Sequence, residues 1–174
     1  EEAALGGKVI IVLSDRRVDP ARLPIHAALA TGAVHHRLTE MGLRCDTNIV
    51  VETATARDPH HFAVLIGFGA TAVYPYLALG LLQKLADGDQ LTGILSAEQA
   101  SSNYVNGIDK GLFKIMSKMG IATIASYRGA QLFEAIGLHH EVVELCFHGT
   151  TTRLQGATFG DLSGEQQALA RLAW

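Results

Sequence analysis

Cysteine is scarce in this chain: two residues among 174, Cys45 and Cys146, far apart and in no C-x-x-C spacing. That excludes a disulfide framework and a zinc-ribbon site, and it fits a reduced, cytoplasmic setting. Positive charge is not in excess either, since 14 Lys and Arg against 17 Asp and Glu leave a net charge of −3. Nucleic-acid binders and membrane-surface proteins carry the opposite balance, so neither partner is expected. No apolar run reaches the ~20 residues of a membrane span. The opening EEAALGGK is acidic where a secretory signal would be basic, so a soluble, unexported chain is expected. What is present is apolar material, 48% of residues, enough for a real core. One domain over 1–174 is expected, with 1–7 as a tail and 149–162 as a loop.

The apolar pattern alternates between short β-rich runs and longer helical stretches. Lys8 to Leu13, Asn48 to Val51 and Ala72 to Tyr74 read as strands. Ile25 to Met41, about His60 to Gly69, and Leu77 to Ala86 read as helices, the last broken at Asp87-Gly88-Asp89. Ser96 and Gln99 form a capping box, and the long helix that reaches Met119 begins there or is broken near Asn106-Gly107. Its apolar stripe is Ile108, Leu112, Ile115, Met116 and Met119, while Lys110, Lys114 and Lys118 share another face. Ile121 to Ala125 predicts a buried strand with Ile124 in the core, followed by a helix to Leu138. Val142 to Phe147 fits a strand or a helix end. Ser163 and Gln166 form a second capping box opening a C-terminal helix toward Trp174. The fold class is α/β, a parallel sheet with alternating helices resembling half a TIM barrel; an open doubly wound sheet is the alternative.

Four stretches together resemble one family. KGLFKIMSKMGIATIASYRGAQLFEAIGL is similar to the large subunit of glutamate synthase, in the central region between the amidotransferase and FMN-binding domains. LSDRRVDPARLPIHAALATGAVHHRL, HHFAVLIGFGATAVYPYLAL and FHGTTTRLQG are similar to the same region in the same order. The resemblance implies a fragment of an oxidoreductase that forms glutamate from glutamine and 2-oxoglutarate in ammonia assimilation. In the parent enzyme it implies FMN and an iron–sulfur cluster, with ammonia passing through an internal channel. This piece would link the glutaminase and FMN sites and help wall that channel. Its partners would be the amidotransferase and FMN-binding domains. Alone it is expected to be inactive, to hold no cofactor and to self-associate. A free-standing half-barrel enzyme or small-molecule binder is the alternative.

Specific chemistry is thinly signalled. Gly67-Phe68-Gly69-Ala70-Thr71-Ala72 satisfies G-x-G-x-x-A, but Pro75 would interrupt the required helix, and a helix closing with glycines reads better. The pairs His35-His36, His60-His61 and His139-His140 invite a metal, yet neighbours on a helix point to different faces. No nucleophile lies in an active-site context, so no catalytic, metal or cofactor residue is assigned. What remains is a face at the strand ends: Asp15, Arg16, Glu52, Tyr74, Tyr76, Ser126, Tyr127 and Arg128 are expected to converge there.

Overall fold

The computed structural model describes residues 1–88 and 96–173. Asp89 and Trp174, which the sequence reading used as a helix breaker and a helix end, lie outside them. Strands β1 (Ile10–Ser14), β2 (Asn48–Glu52) and β3 (Ala72–Tyr74) form a parallel sheet in the order β1-β2-β3. Its register pairs Val12 with Val50 and Val50 with Ala72. The crossovers are α2 (Ala27–Glu40) and α3 (Pro59–Gly67). Three neighbours in sequence order are what a barrel wall gives and equally what one half of a doubly wound sheet gives, so both α/β architectures accommodate this sheet. Asp58 caps α3 by accepting from the His60 and His61 amides, with Pro59 in the first turn where its missing N–H costs nothing.

Alternation along the strands divides the sheet into two faces. Ile49 and Val51 are fully buried with Leu38, Phe62 and Leu65, and Ile11, Leu13 and Val73 pack against them. The opposite face is bare: Ile10 is 58% exposed and Val12 56%, with Ala72 and Tyr74 exposed beside them. Parallel sheets are normally covered on both faces. Helix α4 (Tyr76–Asp87) leads away from β3 and packs on α5 (Ala97–Lys118), which also packs on α3. Ser96 caps α5 through the Gln99 amide, as expected, and the helix runs unbroken past Asn106-Gly107. Ile108 and Met116 are buried while Lys110, Lys114 and Lys118 are solvated.

Five local expectations are corrected. The tail holds a short helix, α1 (Glu2–Leu5), whose Ala4 enters the core while Glu1 pairs with Arg37 at 3.0 Å. Ile121 to Ala125 is not a strand. Thr123 is extended and accepts from the Ser126 amide, capping the one-turn helix α6 (Ile124–Tyr127), so Ile124 is 37% exposed. The helix expected next is β4 (Glu134–Leu138), parallel to β5 (Thr151–Ala157), and β5 occupies half of the expected loop. A Cβ at Gly156 would lie 2.4 Å from the Gly137 carbonyl oxygen, so this pairing needs glycine. Finally, α8 (Phe159–Ala173) starts before Ser163, where Thr158 and Asp161 exchange capping bonds at 2.8 and 3.3 Å.

The undecided Val142 to Phe147 segment is α7 (His140–Cys146). It lies against α2 at Gly32, where a Cβ would fall 1.8 Å from the Cys146 carbonyl oxygen. Val142, Val143, Cys146 and Phe147 form a second cluster with Ala135. A third unites Ala63, Met116 and Tyr127.

Candidate functional site

The carboxyl ends of β1, β2 and β3 bring together five of the expected residues. Glu52, the last residue of β2, accepts from Ser14 Oγ at 2.5 Å and from Arg16 Nε at 2.6 Å. The Ser14 hydroxyl first, and Arg16 with it, hold the Glu52 carboxyl below the usual carboxylate range. The Arg16 guanidinium lies 4.4 Å from the Tyr76 ring centroid and 5.7 Å from that of Tyr74, close enough for cation–π attraction. Asp15 turns inward. Its carboxylate accepts from Thr53 Oγ1 at 2.5 Å and from the Ala54 amide at 3.0 and 3.1 Å. Burial and then the neighbouring Asp15 push the Tyr76 phenol up to about 12.

Ser126, Tyr127 and Arg128 are not part of this face. The Gly129 amide donates to the Gly67 carbonyl at 2.9 Å, placing the end of α6 at the C-terminus of α3. Because α3 runs back against the strands, that is the opposite edge of the sheet. Tyr127 is buried in the third cluster, and Ser126 bonds to Thr123. Ser14, Thr53 and Thr55 complete the strand-end network and were missed. Their signal was adjacency to Asp15 and Glu52, since hydroxyls beside a turn carboxylate satisfy it locally.

The same face borders a cleft of about 270 Å³ lined by Asp15, Arg17, Arg22, Leu23, Pro24 and Glu52. Chemically it is a latch. Asp15 and Glu52 are engaged by hydroxyls, an amide and a guanidinium, and together they hold the loop after β1 onto the end of β2. The G-x-G-x-x-A stretch serves packing: Gly67 closes α3 under the Phe133 ring, and Gly69 turns at φ 115° against His35. After β4, His139 precedes α7 in an extended conformation, and its ring centroid lies 4.2 Å from that of His140 with the rings tilted by 48°. Ligand atoms of His139, His140 and Glu141 lie within 4.8 Å of one another, which the helical-face premise did not foresee.

Fold and face together define an α/β scaffold with one sheet face left bare. Comparison with known proteins gives the family: residues 1–139 match the model of the glutamate synthase central domain. The chain belongs to that family. It is 44% identical over 94% of its length to glutamate synthase [NADH] of Schizosaccharomyces pombe, covering 8% of that protein. It is 41% identical over its whole length to glutamate synthase [NADPH] large chain of Bacillus subtilis, covering 11% of it. To ferredoxin-dependent glutamate synthase 1, chloroplastic/mitochondrial, of Arabidopsis thaliana it is 42% identical over 95% of its length, again 11% of that protein. Among the described residues no helix is long and apolar enough to cross a membrane.

Proposed function

We propose that this chain is the connecting domain of a glutamate synthase, holding the glutaminase and FMN sites in register and forming part of the wall of the ammonia path between them. The bare apolar face of the β1-β2-β3 sheet carries this reading. Ile10 and Val12 would cost less free energy against a neighbouring domain than in water, and a contiguous apolar patch of this kind marks an interaction surface. The strand-end latch supports it too, because its acids are committed to positioning a loop.

The cofactors of the parent belong to its other domains. Iron–sulfur clusters are held by sets of cysteine thiolates, whereas Cys45 is exposed and Cys146 is buried in an apolar cluster that pushes its thiol pKa up. These two residues do not fit a cluster.

The test is V12D in the complete parent enzyme, with glutamine consumed and glutamate formed measured together. A connecting role predicts that glutamine hydrolysis continues while glutamate formed per glutamine consumed falls, with ammonia released to solvent. An unchanged ratio in a folded variant would sink the proposal.

A further inference from the structure

At the amino-terminal edge of the sheet, away from the latch, one side chain ties α2 to two turns. Arg44, in the turn before β2, donates Nε to His35 Nδ1 at 3.0 Å, and its terminal nitrogens to the carbonyls of Thr47 at 2.5 Å and Gly69 at 2.7 Å. Thr47 leads into β2 and Gly69 toward β3, while His35 lies in the second half of α2. Three segments far apart in the chain are therefore held at one guanidinium. Its geometry also fixes a proton. A guanidinium can only donate, so His35 Nδ1 must present a lone pair and the ring must be neutral. Gly69 lies flush on that ring, where a Cβ would fall 2.4 Å from Nδ1, so the acceptor has no room to turn on that side.

Nothing around the ring favours a proton on Nδ1. From α2 itself His36 faces His35, with ring centroids 5.3 Å apart, and His148, after α7, stands 6.0 Å from the His36 ring. The turn before β2 brings Arg44, with Cys45 beside it, and Arg128 follows α6. Among the described residues no carboxylate lies within 4.0 Å of His35, Arg44 or Arg128. The acids of the adjoining helices are engaged elsewhere, Glu40 with Arg37 at 3.3 Å and Glu144 with His148 at 3.2 Å. Protonating His35 would aim an N–H at the Arg44 N–H and add a like charge beside it. Burial first, then Arg44, His36 and Arg128, lower the His35 pKa to about 4. Burial and then His148 lower that of His36, against the opposing pull of Glu40.

We propose that His35 and Arg44 form a pH-sensitive clamp, in which neutral His35 locks α2 to the turns that open β2 and β3, and its protonation in acid solution frees them. The clamp does not depend on the connecting role. Because the unfolded chain takes up this proton first, near the ordinary value of 6.5, the stabilisation is complete above that pH and is lost as pH falls toward about 4.

Side-chain NMR and urea unfolding of the chain between about pH 7 and about pH 4.5 test this. The His35 ring should stay neutral until well below 6.5, and the Arg44 Nε–H, slow to exchange while it is bonded, should respond with the same midpoint, near 4. H35N keeps an acceptor at the Nδ1 position and cannot take up a proton. Relative to the parent, its folding equilibrium should gain at least about tenfold between those two pH values, as expected of a histidine whose pKa the fold lowers. R44Q removes the neighbouring charge and should raise the His35 midpoint by about one pH unit. A His35 midpoint at or above 6.5, an Arg44 Nε–H that ignores the His35 titration, or a parent and an H35N that lose stability in parallel as pH falls overturns the proposal.

Discussion

Arg16 and Glu52 meet across two strand ends, Nε to Oε1 at 2.6 Å, with Ser14 donating to the other carboxylate oxygen at 2.5 Å. Because the folded Glu52 pKa lies below its ordinary value, the stabilisation is present above that value and is lost as pH falls through the lowered one. E52Q should therefore be less stable than the parent at neutral pH, and the two should converge in acid. Urea midpoints across that range check it; a constant difference at every pH means that the carboxylate charge is irrelevant.

Glycine substitutions should divide by location. G32A forces a Cβ to within 1.8 Å of the Cys146 carbonyl oxygen, so α2 and α7 must part, at a cost of about 1–3 kcal/mol or more. At Gly80 in α4 and Gly107 in α5 an added Cβ would meet nothing within 4 Å, and alanine at either should add about 0.5–1 kcal/mol. Thermal melts of the three variants give the order directly.

Core truncation separates the sequence reading from the structure. I49A removes a side chain with 0% exposure and should cost about 2–5 kcal/mol. At Ile124, 37% exposed, alanine should cost well under that, near the ~0.5 kcal/mol of surface changes. Equal losses at the two positions would restore Ile124 to the core.

Self-association should follow from the bare face. With Ile10 and Val12 exposed and β1 and β3 both at sheet edges, we propose a two-fold dimer of the isolated chain. Sedimentation over a concentration series should show it, and V12D should shift it toward monomer. A monomer at every concentration would mean that the face stays open in solution.

The first half of the fold was legible because its signals were local and agreed. β-branched runs bounded by polar turns gave β1, β2 and β3, while helical spacing gave α2, α3 and α4 and the Ser96 capping box gave α5. The second half was not, because tertiary pairing overrode propensity. Ile121 to Ala125 has strand composition but finds no strand neighbour among the described residues, whereas Glu134 to Leu138 pairs with a Thr-rich segment that its Gly content made look like a loop. Asp15, Arg16 and Glu52 were legible as neighbours because strand ends are predictable from strands, while their hydroxyl partners Ser14, Thr53 and Thr55 were not. Ser126 to Arg128 were misplaced by the same logic, since the strand assigned before them does not exist.

The close crossing at Gly32 bears on where this protein can be divided. The family match stops at His139, yet α7, which begins one residue later, rests its last carbonyl on a helix from the other side of that limit. A cut there would strip the cover from Ala28, Leu29 and Ala33 on one fragment and from Val142 and Val143 on the other. The recognisable module and the cooperative unit are thus different objects. A truncation or chimera designed on the first would inherit an open seam, and its joint belongs beyond α7.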